Sequence, residues 1–440
     1  MYWVYSALLL LTLLLSAPWW LWQMLRHGKY RAGWSERLGS VPVRLRQRAG
    51  ADTIWIHAVS VGEVLAITQV VAELQQQLPG WSIVVSTTTD TGQKLARQRF
   101  GDENVFRAPL DLPWTVQAFL DALRPRLLVL AESEFWPNLL RIAHDTGVRV
   151  AVVNARISDR SLPRYLRFRK LMARVLSNGD LSLAQTEEDA RRLLAIGAPA
   201  DRVRVGGNLK FEVKAPPGRN EIANRIVALA KHEQIGPLIV AGSTLEGEEA
   251  MLLQAFRAVG ERYPQSMLLL APRHPERFEA VASLLASSEI PFRRRSQWNG
   301  ELPVASWVLL LDSIGELAAL YEFAALAFVG GSLAPRGGHN VLEAAYFGVP
   351  ILVGPHTENF REIIEIFRRT DAICVTSEQS LQQDMLALLE NHAARERLGR
   401  NAQEVMRAQQ GATGRTVEAL LGLLEVHRGA LAETTAERRA

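Results

Sequence analysis

The chain has 440 residues, of which 48% are hydrophobic, and a formal charge of +4, which is enough apolar content for two cores because single cores usually stop growing near about 250–300 residues. So small a positive excess argues against nucleic acid as a partner, and the single cysteine, Cys374, excludes an internal disulfide and reads as a small core residue on a strand. The nine histidines are scattered and no Cys/His cluster has zinc-ligand spacing, so a structural metal site is not expected.

The first 25 residues carry no charged side chain. Their apolar core, Ala7 to Leu15, is interrupted only by Thr12, and the run to Leu25 suits a membrane helix, which needs about 20 residues. Trp3, Trp19, Trp20 and Trp22 sit near its two ends, where indoles favour the interface. Arg26, Lys29, Arg31, Arg37, Arg44, Arg46 and Arg48 follow, opposed only by Glu36. A cleaved leader would carry its cations before the apolar core, so residues 1–25 are read as an anchor. Everything after it is cytoplasmic, and the N-terminus is outside or the helix partly embedded. Anionic membrane lipid is the expected partner of these cations, each worth about 1 kcal/mol near an acidic leaflet.

Next come apolar runs separated by helix-length amphipathic stretches such as Gly62 to Leu78. The runs are Thr53–Val59, Ser82–Thr87, Leu127–Ala131, Val148–Asn154, Leu181–Gln185 and Val203–Gly206. Strands without polar alternation predict a parallel sheet covered on both faces. The prolines of Lys214–Arg219 mark a linker, after which a second series begins: Pro237–Ala241, Met267–Ala271, Trp307–Leu311, Ala325–Val329, Pro350–Val353 and Ile373–Thr376. The fold class is therefore α/β, with two doubly wound, Rossmann-like domains at residues 26–213 and 220–427, a frayed tail at 428–440, and a ligand cleft expected between the domains.

Polar residues at the strand ends are the candidates for chemistry. In HAVSVGE (His57–Glu63), Glu63 opens a helix after a strand and is read equally as a general base or as an acid complementing the helix dipole. In ESEFWPN (Glu132–Asn138), two acids two residues apart share a sheet end, a costly arrangement without a cation or substrate. Lys210 of GGNLKFE is a cation able to neutralise a carboxylate or phosphate, or else a solvated surface charge. Arg273 of PRHP suits paired hydrogen bonds to phosphate. Three helix starts follow strands: GSTLEGE at Gly242, DSIGEL at Asp312, and the one in FVGGSLAPRGGHNVLEAA at Phe328. In the last, Gly330, Gly331, Gly337 and Gly338 admit a ligand close to the backbone, Asn340 caps the helix, and Glu343 reaches ribose hydroxyls; the alternative is a turn that needs glycine for geometry alone.

Taken together, HAVSVGE, ESEFWPNLL, NARISDRS, GNLKFE, AGSTLEGEE, PRHPERF, DSIGELAALY and FVGGSLAPRGGHNVLEAA resemble, in order and over nearly the whole chain, the Kdo (3-deoxy-D-manno-octulosonic acid) transferases of lipid A assembly. The resemblance implies a GT-B glycosyltransferase of the inner membrane that moves Kdo from CMP-Kdo to a lipid A precursor, lipid IVA, with inversion and without a metal or other cofactor. It implies Glu63 as catalytic base and Glu132 and Lys210 as transition-state stabilisers. It places CMP on Pro272, Arg273, Ile314, Gly315, Glu316, Asn340, Val341, Leu342 and Glu343. Ser133, where the family commonly has threonine, and Glu212, where it often has aspartate, depart from the pattern without touching these roles. The basic, leucine-bearing segment Leu162–Leu176 is read as a surface helix or as a receiver of acyl chains and phosphates. A transferase or epimerase using a UDP-sugar, and a non-catalytic lipid-binding protein on the same fold, are the alternatives.

Overall fold

A computed structural model describes residues 1–27, 33–46, 52–212, 221–231, 235–300 and 305–437. The expected linker Lys214–Arg219 and the cations Lys29, Arg31 and Arg48 lie outside the described residues. The chain divides into unit 1, Met1–Glu212 with Gln410–Ala440, and unit 2, Val213–Gln409.

Unit 1 begins with α1 (Tyr2–His27), the expected apolar helix with Pro18 inside it. Its sheet holds β1 (Thr53–His57), β2 (Ser82–Thr87), β3 (Val105–Arg107), β4 (Leu127–Ala131), β5 (Arg149–Ala155), β6 (Leu181–Ala184) and β7 (Val203–Val205). They pair in the order β3-β2-β1-β4-β5-β6-β7, every pair parallel. Alternate residues feed two cores. Leu128, Leu130 and Val152 pack with Phe106, Phe119 and Leu140, whereas Val129, Ala151 and Val153 pack with Val64, Ile67 and Val70. The covering helices include α2 (Val61–Gln77), α3 (Pro113–Leu123), α4 (Pro137–Asp145), α5 (Leu162–Arg167) and α6 (Arg169–Leu176). The segment expected as one helix at Leu162–Leu176 is thus two, broken at Phe168. Strand order reverses between β1 and β4, so the carboxyl ends of these two strands border the crevice where doubly wound sheets bind ligands.

Unit 2 repeats the design. Its strands are β8 (Leu238–Thr244), β9 (Met267–Pro272), β10 (Phe292–Arg294), β11 (Trp307–Leu310), β12 (Leu326–Val329), β13 (Ile351–Val353) and β14 (Cys374–Val375). They run in parallel in the order β10-β11-β9-β8-β12-β13-β14. Here the reversal lies between β8, followed by α7 (Glu248–Arg262), and β12, followed by the glycine-rich turn and α8 (Leu342–Tyr346). Cys374 lies on the edge strand, half-buried and packed against the core of unit 2.

The chain then crosses back. Residues from Gln410 belong to unit 1, where a linear reading put the second domain up to 427. Helix α9 (Ala412–Glu437) buries Ala412, Val417, Leu420 and Leu424 in the core beneath β1, β4 and β5. Its backbone is helical to Glu437, where fraying was expected after residue 427.

Candidate active site

In unit 1 the switch crevice holds Glu63, Glu132 and Lys210. Ser60 caps α2 and its hydroxyl accepts a hydrogen bond from the Glu63 amide at 3.5 Å, while the Glu63 carboxylate accepts bonds from the Ser60 hydroxyl at 2.8 Å and the Val59 amide at 2.7 Å. This is a variant of the capping box in which Glu63 reaches the amide one residue before the cap, so Glu63 does complement its helix start. Its electrostatics go further. Burial, reinforced by Glu132 and Glu134 and opposed by the Val59 and Ser60 bonds, pushes its carboxyl up to about 7. A carboxyl that titrates there is a competent base at neutral pH.

Glu132 follows β4 in the left-handed region, φ 58°, where a residue other than glycine is strained, typically at a functional site. The two acids expected to share a sheet end do stand together: both act on Glu63, and Glu132 helps hold the Glu134 carboxyl above its usual range, after the larger effect of burial. The Lys210 ammonium pairs with Glu132 at 2.7 Å. Its stem passes Gly62 at the start of α2, where a Cβ would come within 4.0 Å of Lys210 Cε. The Lys210 loop is braced from three sides. Asn154, at φ 55° and fully buried, accepts the Leu209 amide at 3.0 Å; Asn208 accepts the Lys210 amide at 3.0 Å; and Arg415 of α9 donates to the Gly206 carbonyl at 3.0 Å. Sequence reasoning passed over Asn154 because its role is visible only once Leu209 is beside it.

The glycine-rich turn of unit 2 departs from the expectation of an open phosphate cradle. The Glu248 carboxylate, wholly buried, accepts the amides of Leu245 (2.9 Å), Gly331 (2.7 Å), Ser332 (2.9 Å) and Leu333 (2.9 Å). These are the donors an anion at this turn would need, and the protein's own glutamate takes them. The glycines serve internal packing. A Cβ on Gly330 would strike Thr244 Cα at 2.7 Å, and Gly331, at φ 70°, lies 2.8 Å by the same measure from the His339 ring. Beside Glu248, Glu249 accepts both guanidinium nitrogens of Arg277, at 2.6 and 3.2 Å.

The helix starts also differ from expectation. Asn340 does accept the Leu342 amide at 3.1 Å, but Val341 is the N-cap and α8 has only 5 residues, so its dipole is small. The helix after Glu316 has 4 residues. Val341 and Leu342 are buried and can offer a ligand only backbone groups, whereas Ile314 is exposed beside Gly315, at φ 87°. Glu316 is held by Arg295, at 3.0 Å, and by the Ser313 hydroxyl.

Charge nonetheless converges on one sheet end. Burial raises the Glu343 carboxyl and Arg273 draws it back down. Burial, then Arg273 and His274, hold the His339 imidazole down at about 4. Arg273 is positioned by its amide, which donates to the Thr244 carbonyl at 3.0 Å after Pro272 ends β9. The structure therefore groups Arg273 and Glu343 with His339 and His274. Neither histidine was singled out in the sequence, although both stand inside its motifs. Among the described residues no group of three His, Cys, Asp or Glu side chains has metal-holding geometry.

A family model described as 3-deoxy-D-manno-octulosonic-acid transferase (kdotransferase) matches residues 32–213, and one described as glycosyl transferases group 1 matches residues 301–405. The chain is 38% identical to the 3-deoxy-D-manno-octulosonic acid transferase of Haemophilus influenzae, over 84% of this chain and 87% of that protein. It is 34% identical to that of Bordetella pertussis, over 91% and 95%. Among solved structures, MurG of Acinetobacter baumannii matches 84% of this chain and 99% of its own with a TM-score of 0.54 at 14% identity, a likeness of fold alone that agrees with the GT-B class.

Proposed function

The chain belongs to the 3-deoxy-D-manno-octulosonic acid (Kdo) transferase family, and on that premise we propose that this glycosyltransferase moves Kdo from CMP-Kdo to a sugar hydroxyl of the lipid A precursor lipid IVA, inverting the anomeric centre, with Glu63 as base. One observation carries the reading: a buried carboxyl raised to about 7 stands at the switch point of unit 1 beside the Glu132–Lys210 pair.

Glu63 spends one acceptor site on Val59 and one on Ser60, which leaves lone pairs for an incoming hydroxyl. The proton passes to Glu63 as the hydroxyl oxygen bonds to the anomeric carbon, and the bond from that carbon to the CMP phosphate oxygen breaks. Positive charge builds at the anomeric carbon as that bond breaks, and the Kdo carboxylate beside it is held by the Lys210 ammonium, whose position the Glu132 carboxylate and the braced loop fix in advance. On unit 2, Arg273 takes the phosphate, the backbone of Asn340–Glu343 and the exposed Ile314–Glu316 loop hold the nucleotide, and Glu343 receives ribose hydroxyls. No divalent metal takes part. The enzyme works at the cytoplasmic face of the inner membrane with α1 as its anchor.

The test is direct. Purified protein is incubated with CMP-Kdo and lipid IVA and the product is weighed by mass spectrometry. Mass added in whole Kdo units, undiminished by EDTA, is expected; an unchanged acceptor, or competition by UDP in preference to CMP, overturns the proposal.

A further inference from the structure

The exposed residues of α1 fall on one stripe. Val4, Leu8, Leu11, Leu15, Trp19 and Trp22 recur at steps of three and four and all face outward, with Trp3 and Leu14 widening the stripe. The opposite face, with Tyr2, Tyr5, Ser6, Leu9, Leu13 and Ser16, is partly or wholly covered. A helix meant to be bathed in lipid all round has no need of such a division.

The covered face is attached to unit 1 by polar contacts. The Tyr2 hydroxyl donates to the Arg174 carbonyl at 3.3 Å and accepts from Asn178 at 3.0 Å, and the Arg141 guanidinium lies 4.9 Å from the centre of its ring. Asn138, fully buried, donates to the Ser6 hydroxyl at 3.0 Å. The Tyr5 hydroxyl bonds the carboxylate of buried Asp111, which also accepts the Asn138 and Leu139 amides at 3.0 and 2.7 Å. A mostly apolar crevice of about 560 Å³ opens beside these contacts, with Trp3 of α1 and exposed Trp114 of α3 both in its wall.

The other end of α1 is tied by the chain itself. From His27 the polypeptide reaches Gly33 through residues 28–32, a reach of at most about 22 Å, and the Gly33 backbone packs on the stem of Arg107 in unit 1. A 26-residue helix is about 39 Å long. To cross, its first turn would have to stand beyond about 30 Å of hydrocarbon from unit 1. That would strip Tyr2, Tyr5 and Ser6 from their partners and expose buried Asp111 and Asn138.

We infer that α1 does not cross the bilayer but lies in the plane of its cytoplasmic interface, with the Val4–Trp22 stripe in the acyl region and the Tyr2–Ser16 face on unit 1. The partner is an anionic phospholipid leaflet. Exposed Arg164, Arg167, Arg169 and Lys170 stand among exposed Leu166, Phe168 and Leu171 on α5 and α6, and α6 carries the Arg174 carbonyl that holds Tyr2, so one basic and apolar surface continues from the helix onto the unit. The inference rests on the membrane reading of α1 and deepens it.

Full-length protein carrying Cys374→Ser and one of Leu8→Cys, Leu15→Cys or Trp22→Cys, spin-labelled at the new thiol, is bound to phosphatidylethanolamine and phosphatidylglycerol vesicles, and label depth is read by power-saturation EPR. All three labels should lie at one depth, about 5–10 Å below the headgroups. A Leu15 label at the midplane with the Leu8 and Trp22 labels toward opposite leaflets overturns the inference. Absence of vesicle binding overturns it together with the anchor reading, while Kdo transfer assayed in detergent stands or falls separately. In a Tyr5→Phe, Asn138→Leu background the Leu8 label should leave the common depth; no movement contradicts the docking that sets it.

Discussion

The two sheets place a glutamate at equivalent points, Glu63 in the first turn after β1 and Glu248 in the first turn after β8, and put them to opposite uses. Glu248 accepts four backbone amides, three of them from the neighbouring strand's loop. It is a stitch that closes the switch point of unit 2. Glu63 is buried as well but accepts only one amide and one hydroxyl, so burial, reinforced by two nearby acids, pushes its carboxyl up to about 7. The number of donors aimed at a buried carboxylate decides whether its charge is consumed by the fold or left for chemistry.

The largest test of this contrast is Glu63→Gln, which should lower transfer by roughly 10²–10⁴-fold with CMP affinity retained; a variant that keeps most of its rate removes Glu63 from the base role. For the wild type, kcat/KM should rise with pH and be half-maximal near 7, because the ionised form accepts the proton. His57 and His339, held down at about 4, titrate too low to supply that inflection. The stability sign is the reverse. A carboxyl raised from 4.5 to about 7 on folding favours the native state while protonated, and that contribution fades as pH rises through 7, a swing of about 3 kcal/mol at most. Glu63→Gln should therefore melt above the wild type at pH 8 and approach it at pH 5.

Glu248→Ala should act on the fold. It deprives the four amides of their acceptor, at about 1–3 kcal/mol for a group left unsatisfied, and a total loss of about 4 kcal/mol in urea unfolding is expected once water replaces part of the bonding. A loss below about 1 kcal/mol would collapse the contrast with Glu63. Lys210→Met should reduce transfer about 10²-fold, and its effect should be non-additive with Glu132→Gln in a double-mutant cycle, since the two charges touch. Smallest is Arg273→Ala. CMP affinity measured by calorimetry should fall about tenfold, or 1.4 kcal/mol; unchanged affinity takes Arg273 out of the nucleotide site.

Much of the architecture was legible because parallel strands buried on both faces, such as β1 and β4, read as unbroken apolar runs. The two strands that escaped notice, β3 (VFR) and β10 (FRR), are short and stand in no longer apolar run that would announce them. The unit 1 acids and Lys210 were legible as polar residues at strand ends, since that position follows from topology. The filling of the glycine-rich turn was not. Glycines announce converging amides but do not name the anion that meets them, and Glu248 lies 83 residues before Gly331. The same limit hid α9: its helical pattern is local, whereas its packing partners are strands more than two hundred residues earlier.

That returning helix makes unit 2 an insertion within unit 1, bounded by Glu212 on one side and Gln410 on the other. A fragment cut after Glu212 would expose the groove that Val417, Leu420 and Leu424 fill, each worth about 1.5–3 kcal/mol when buried, and would release the Arg415 brace behind the Lys210 loop. Unit 1 is thus a two-piece object in covalent terms. Unit 1 on its own needs a short graft joining residue 212 to residue 410, and a nonsense codon near the 3′ end of the gene would unsettle the half encoded at its start.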